Sequence, residues 1–415
     1  MSSGQTAVKK QAPMPHLKTL DSWRGIGALV VVLHHFPGYG YMMQNDFVRN
    51  SYPLVDFFFT LSGFVIAANY LDRINDRAAA GRFMWLRLGR IYPLHLATFL
   101  AFFVFELVKA GAAYASTGGI GDAFTGDKTL PRALSNVFML HSLGLHNDVS
   151  WNRPAWSISC EMVAYLAFAG MTLWGGRKWR FPLYALAFVG SMIILMLFSR
   201  SWFVPTADLG AFRCLAGFIA GVFCFKAWNA ARMSDFFNNI PDYVWTIVEI
   251  VSTVFLVWFL STQGMAPGNF ASPFVFFWFT FLFAFQRGRL SKLMQWNVLT
   301  YLGLISYSLY MTHQFVFDRM LNVASGLEKL TGAHLMTLGP ENYYLLGGSQ
   351  LMSDVIFFIG LAIVIVVSHF TYKWVEEPFR DMARDVMKAR RAKKAAREAA
   401  AAAPVPAVVP GQPQG

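Results

Sequence analysis

Apolar residues along this chain come in long blocks rather than at the spacing of a soluble helix face. A bilayer core about 30 Å thick is crossed by roughly 17–25 mostly apolar residues in helical form. Ten blocks meet that description, at about 24–43, 53–71, 91–110, 155–174, 181–198, 209–228, 243–260, 271–286, 297–321 and 351–372. Another apolar run, 133–146, is too short to span. The pattern predicts an all-α integral membrane protein, a polytopic bundle of about ten transmembrane helices within residues 21–380. A polar N-terminal segment, 1–20, precedes it, and 381–415 reads as a basic helix followed by a disordered tail rich in Pro and Val.

The polar residues between the blocks are distributed by sign. Lys9, Lys10, Lys18 and Arg24 lie at the start, and Arg73, Arg77, Arg82, Arg87 and Arg90 follow the second block. Arg177, Lys178 and Arg180 follow the fourth, Lys226 and Arg232 the sixth, and Arg287, Arg289 and Lys292 the eighth. Nine more basic residues fall between Lys373 and Arg397. The alternate connections hold few, chiefly Arg49, Lys128, Arg132, Arg153, Arg200 and Lys329. Basic residues concentrate on the cytoplasmic side of membrane proteins, so both termini are expected in the cytoplasm. The net charge of +12 is then a record of topology and not a nucleic-acid footprint. Residues 1–20 contain no apolar signal-peptide core, and the first block is expected to act as the targeting signal.

Composition agrees with lipid as solvent. Hydrophobic residues make up 55% of the chain and charged ones 14%, against about 25% charged in a soluble domain. The three cysteines, Cys160, Cys214 and Cys224, all lie in apolar blocks, which argues against a disulfide framework. The longest connections on the outer side, about 111–154 and 322–350, are placed to cover an outward-facing cavity.

Candidate chemistry starts in the first block, DSWRGIGALVVVLHHFPGYGY. Arg24 and His35 are eleven residues apart, a spacing that returns to within roughly 20° on a helix and separates them by about 16 Å. His34 points about 80° away from Arg24. Pro37 follows, lacking an N–H and clashing with the carbonyl of Leu33, so the helix must open there. Broken backbone at membrane depth is tolerated only against protein or a water-filled cavity. His35 is therefore a candidate general base beside a polar space. The spacing leaves open an alternative in which both histidines only bond between helices.

Arg87 and Arg90, three apart, face one way and suit phosphate as paired guanidinium forks, or anchor a helix end. Two acids stand inside blocks. Glu161 has Ser157 one turn before it and Tyr165 one turn after, and is either a participant in chemistry or a structural partner for Arg213. Asp56, near an outer end, is explained by helix capping, and Ser62-Gly63 by close helix approach. His313 and His369 read as interhelical hydrogen-bonders, and Glu376-Glu377-Pro378 as a helix terminus. No metal-ligand spacing, P-loop or G-x-S-x-G occurs in the sequence.

Six segments in order, LDSWRGIGALVVVLHHF, VDFFFTLSGFVIA, RLGRIYPLH, AWSISCEMVAYL, ISYSLYMTHQ and WVEEPFR, resemble the acyltransferase-3 family of integral membrane acyltransferases. They are distributed from residue 20 to 380. The resemblance implies a ten-helix membrane enzyme of the bacterial inner membrane. It would move an acetyl or succinyl group from cytoplasmic acyl-CoA to a hydroxyl of an exported polysaccharide or glycolipid. Family members carry an arginine, ten intervening residues and a histidine, the spacing of Arg24 and His35. His35 would then be the catalytic base or the residue that accepts the acyl group, with Arg24 on the donor side. Many members have R-x-R before the third crossing, where this chain has R-x-x-R, so Arg87 and Arg90 are both candidate donor ligands. Glu161 matches the family's WS-x-x-x-E position. The implied partners are acyl-CoA, a carbohydrate acceptor and the bilayer, with no nucleic acid. Two other classes fit the same intramembrane ions, a transporter or flippase for a glycan or anionic substrate and a non-catalytic scaffold in glycan export.

Overall fold

The computed structural model describes residues 15–339 and 343–402. Lys9 and Lys10 and the Pro-rich tail from Pro404 onward lie outside the described residues. The chain is almost wholly helical. In order it forms α1 (Lys18–His34), α2 (Leu54–Tyr70), α3 (Arg77–Thr117), α4 (Trp156–Phe198), α5 (Gly210–Ala231) and α6 (Asp242–Gln263). There follow α7 (Ser272–Phe283), α8 (Asn297–Leu304), α9 (Ser306–Thr331), α10 (Gln350–Thr371) and α11 (Glu377–Ala402). Shorter helices fill the connections, and one antiparallel hairpin pairs β1 (Met336–Leu338) with β2 (Tyr344–Leu346).

All ten predicted blocks fall largely on helix. Five helical stretches are long and apolar enough to cross a membrane by themselves: Arg77–Thr117, Arg153–Phe198, Gly210–Ala231, Asp242–Gln263 and Gln350–Ala396. The second holds two of the predicted blocks, because α4 folds back at Gly176 (φ 50°, ψ −150°), a conformation that glycine adopts without Cβ strain. Its two halves pack against each other through Phe168 and Tyr184, whose rings stack at 5.9 Å, and Thr172 Oγ1 lies 2.6 Å from the Tyr184 hydroxyl. By contrast α1 and α2 have 17 residues and α7 has 12, about 25 and 18 Å at 1.5 Å per residue. The run 133–146 contains only the eight-residue helix Leu130–Val137 at its start, as its length predicts.

Small residues set the closest helix approaches. A Cβ on Gly63 of α2 would sit 1.8 Å from the carbonyl oxygen of Phe218 in α5, and one on Gly221 would sit 1.9 Å from that of Thr60. Without a hydrophobic force between helices in lipid, such backbone-to-backbone packing carries association. Gly63→Ala is therefore expected to cost about 1–3 kcal/mol through forced separation of α2 and α5, read as a lowered melting temperature in detergent. An unchanged melting temperature would show that the two helices can part freely.

The polar interior is mostly paired. Arg213 of α5 meets Asp56 of α2 through two hydrogen bonds, Nε to Oδ1 at 2.8 Å and Nη2 to Oδ2 at 2.9 Å, and both side chains are wholly buried. The guanidinium lies 5.0 Å from the ring of Tyr52 and 5.2 Å from that of Trp156. Asp56 is thus an intramembrane ion-pair partner and not a helix cap, and it, rather than Glu161, is the structural partner of Arg213. All three cysteines are free and buried.

Candidate active site

The α1 helix ends at His34, and His35 occupies its C-cap (φ −87°, ψ −1°), just before the proline that prevents continuation. The opened backbone is sealed by protein. Pro37 O accepts from Leu346 N of β2 at 2.7 Å, Tyr39 N donates to Ser353 Oγ at 3.1 Å, and the Asp354 carboxylate accepts from Tyr41 N and Met42 N at 3.1 and 3.3 Å. The hairpin and the start of α10 therefore hold the break in place.

At the other end of α1 a cavity of about 140 Å³ lies between α1, α2, α3, α4 and α9. It brings together Arg24, Arg87, Arg90 and Glu161, from three helices far apart in sequence, with Glu376 beside them. Arg24 reaches it because Gly25 and Gly303 let α1 and α8 touch backbone to backbone. Its Nε donates to Ser306 Oγ (2.9 Å), and Nη2 donates to Gly303 O (2.7 Å) and lies 3.1 Å from Asp21. Its Nη1 has no partner among the described residues. Arg87 Nη2 donates weakly to the Tyr70 hydroxyl (3.3 Å), while its buried Nε is unpaired. Arg90 is within electrostatic reach of Glu376 and Arg24 and makes no side-chain hydrogen bond or ion pair among the described residues.

Glu161 Oε1 accepts from Ser62 Oγ (2.5 Å) and from the Tyr165 hydroxyl (2.6 Å). Glu376 is buried and accepts from Ser308 Oγ at 3.0 Å. It closes a π-helical turn, Tyr372–Glu376, between α10 and α11, an irregularity frequent at functional sites. Three guanidinium groups and two carboxylates line the cavity, and Asp21 pairs with Arg24; Arg87 and Arg90 keep donors free to meet an anion.

His35 does not line this cavity. The cavity ends at Tyr310, whose hydroxyl donates to Pro154 O (2.9 Å) and receives a bond from Ser157 Oγ (2.9 Å). Phe58 packs on Tyr310 at 6.1 Å. Beyond Tyr310 stands His313, ring centroids 6.1 Å apart, and beyond His313 stands His35 at 5.1 Å. Because a carbonyl only accepts, the 2.9 Å contact between His35 Nδ1 and Val31 O fixes the proton on Nδ1. Nε2 of His35 then carries a lone pair, with no hydrogen-bond partner among the described residues. His34 is turned elsewhere, with Nδ1 donating to Val48 O at 3.0 Å and its ring 5.9 Å from Tyr52.

The expected donor-side residues thus meet in one place, and the expected catalytic histidine stands one aromatic wall away. Glu161 belongs to the arginine cavity and makes no contact with His35. Two residues read as structural from sequence prove otherwise in position: Glu376 faces the cavity, and His313 packs on His35 instead of bonding to another helix. For Glu376 the sequence offers only its place in Glu376-Glu377-Pro378 after the last block, which reads as a helix terminus. For His313 the sequence offers only its place inside an apolar block. His369, in contrast, is an interhelical hydrogen-bonder, 2.5 Å from the Tyr301 hydroxyl.

A helical bundle with stretches apolar enough to cross a membrane thus carries an arginine-lined cavity, and beyond Tyr310 an imidazole Nε2 without a partner among the described residues. Comparison with known proteins gives its family. A family model described as an acyltransferase domain, that of the acyltransferase-3 family, matches residues 17–373, and the chain belongs to this family. The chain is 30% identical over 161 residues to Acyltransferase MdmB of Streptomyces mycarofaciens, 37% of each chain. It is also 30% identical over 182 residues to Protein 2 in picA locus of Rhizobium radiobacter, covering 40% of this chain and 86% of that protein. The match to MdmB thus spans little more than a third of that relative's length. No solved structure matches the chain.

Proposed function

We propose that this membrane acyltransferase takes its acyl group from acyl-CoA, acetyl or succinyl, and transfers it to a hydroxyl of an exported polysaccharide or glycolipid at the bacterial inner membrane. The observation that carries the reading is the gathering of Arg24, Arg87 and Arg90 around one cavity, with Arg90 unpaired among the described residues. By the charge bias of the connections that cavity opens toward the cytoplasm, where acyl-CoA is made, and ten crossings with both termini inside follow from the same bias. Arg87 and Arg90 would hold phosphate. Arg24, already oriented by Asp21, Gly303 and Ser306, would turn Nη1 to the donor arm, and Glu161, with Ser62 and Tyr165, would line its path.

The thioester then passes Tyr310 to reach His35. An acceptor hydroxyl gives its proton to His35 Nε2 as its oxygen forms a bond to the acyl carbon. The carbon–sulfur bond breaks, and the imidazolium returns the proton to the thiolate sulfur. In the two-step variant the same Nε2 lone pair attacks the acyl carbon first and the carbon–sulfur bond breaks, releasing the thiolate; the hydroxyl then attacks the acyl-imidazole, the carbon–nitrogen bond breaks, and the hydroxyl proton passes to the thiolate.

The test is transfer from labelled acetyl-CoA and succinyl-CoA in membranes holding the wild type or Arg90→Gln. Losing a charge-assisted bond to phosphate costs about 1.5–3 kcal/mol, so the KM for the donor is expected to rise roughly 10–100-fold with the acceptor KM unchanged. Wild-type membranes that move glycan without labelling it would favour transport. An unchanged donor KM would remove Arg90 from the donor site.

A further inference from the structure

We infer that the acyl group accepted here is uncharged, acetyl and not succinyl, and that Glu161 and the apolar inner end of the arginine cavity make that choice. This rests on the reading of the cavity as the donor site.

The cavity changes from charged to apolar along its length. Its cations lie toward the cytoplasmic side: Arg87 and Arg90 open the crossing of α3, and Arg24 bonds Gly303 and Ser306 where α8 meets α9. One turn farther out, about 6 Å at 1.5 Å per residue, the lining is different. Phe58 lies a turn beyond Ser62 on α2, Ser157 a turn beyond Glu161 on α4, and Tyr310 a turn beyond Ser306 on α9. With Val55, Phe59 and Ile158 they form an inner end that contains no cation. The last charged side chain before it on α4 is Glu161. Its Oε1 accepts from Ser62 Oγ and the Tyr165 hydroxyl, at 2.5 and 2.6 Å, and it forms no ion pair among the described residues.

A donor held by its phosphates at Arg87 and Arg90 sends its acyl end inward, past Glu161 and away from those arginines. An acetyl methyl meets rings and aliphatic side chains there and gains by leaving water. Succinyl brings a carboxylate. Glu161 repels it in passing, and Phe58, Phe59 and Ile158 then bury it without a partner, which is costly for any isolated charge. No cation stands ready to receive it. Beyond Tyr310 come the rings of His313, His35 and Phe317. Arg213 is bound by Asp56 and does not line the cavity, and Arg153 is exposed, 3.7 Å from Asp127. The same arginines that attract the donor's phosphates are thus out of reach of a charge at its other end.

The test is transfer from labelled acetyl-, butyryl- and succinyl-CoA to endogenous glycan in membranes holding the wild type. Butyryl has the carbon backbone of succinyl with a methyl in place of the carboxylate, so it separates charge from length. The kcat/KM for succinyl-CoA is expected to fall roughly 100-fold or more below that for acetyl-CoA, as for like charges brought together, with butyryl-CoA between them. If butyryl-CoA is rejected as strongly as succinyl-CoA, length decides and the inference is overturned. Glu161→Gln keeps an acceptor oxygen for Ser62 and Tyr165 and removes the charge. It is expected to narrow the ratio of butyryl to succinyl transfer about 10-fold. Both donors meet the same enzyme, so this ratio does not depend on the folded fraction. An unchanged ratio overturns the role of Glu161. Succinyl-CoA used as well as acetyl-CoA overturns the whole inference and leaves the donor site standing. No labelling from any of the three donors removes the acyl-CoA reading, and the inference falls with it.

Discussion

His35→Ala is expected to reduce acyl transfer by roughly 10²–10⁴-fold, the usual contribution of a positioned general base, while His34→Ala retains most of the wild-type rate. The two histidines are adjacent, of one type and both donate Nδ1 to a backbone carbonyl, so residue chemistry alone does not separate them. Position does. His35 stands against His313 on the far side of the Tyr310 wall, whereas His34 is committed to Val48 and Tyr52. Labelled glycan, measured at matched expression and matched folded fraction, is the readout. Equal loss in both variants would point to a shared structural duty for the helix end. A fully active His35→Ala would end the general-base mechanism.

Asp56→Ala is expected to have the largest effect on stability, about 3–5 kcal/mol, because it strands a buried cation. Arg213 is wholly enclosed, one of its terminal nitrogens is already unpaired, and its flanking groups are the rings of Tyr52 and Trp156. Those rings attract the cation but do not replace two charge-assisted hydrogen bonds. The double variant Asp56→Leu/Arg213→Met removes both charges and is expected to recover much of the loss, since apolar replacements of buried pairs are often neutral or better. Thermal unfolding in detergent of both variants decides it. If the single variant melts like wild type, water reaches Arg213 and the pair is not sealed. If the double variant is no better than the single, the pair specifies how α2 and α5 meet.

Much of this architecture was readable in the order of residues. A stretch of some twenty apolar residues must become a helix in lipid, because no water is present to satisfy its backbone, and the predicted blocks fall largely on helix. The break at His35 followed from Pro37, and Ser62-Gly63 marked a place of close helix approach without naming the partner, which is α5. The spacing of Arg87 and Arg90 put them on one face, the family resemblance set Arg24 on the same side, and the cavity contains all three. These are local consequences of covalent geometry, periodicity and solvent, and they need no knowledge of neighbours.

Pairings between distant segments were not readable, because a charge in an apolar block states that it needs a partner without naming it. Arg213 could have met Glu161 or Asp56, and the packing of α2 on α5 chose Asp56, freeing Glu161 for the arginine cavity. Glu376 reads as the end of a helix, yet it lines the cavity from a π-helical turn. His313 resembled a packed histidine until α9 set it beside His35 with its lone pair unanswered. The sequence by itself determined the helices, the break after α1 and which arginines stand at the ends of apolar blocks. Only the tertiary structure decided which acid neutralises which arginine, and that Tyr310 divides the cavity from the two imidazoles, since both depend on contacts between helices more than a hundred residues apart.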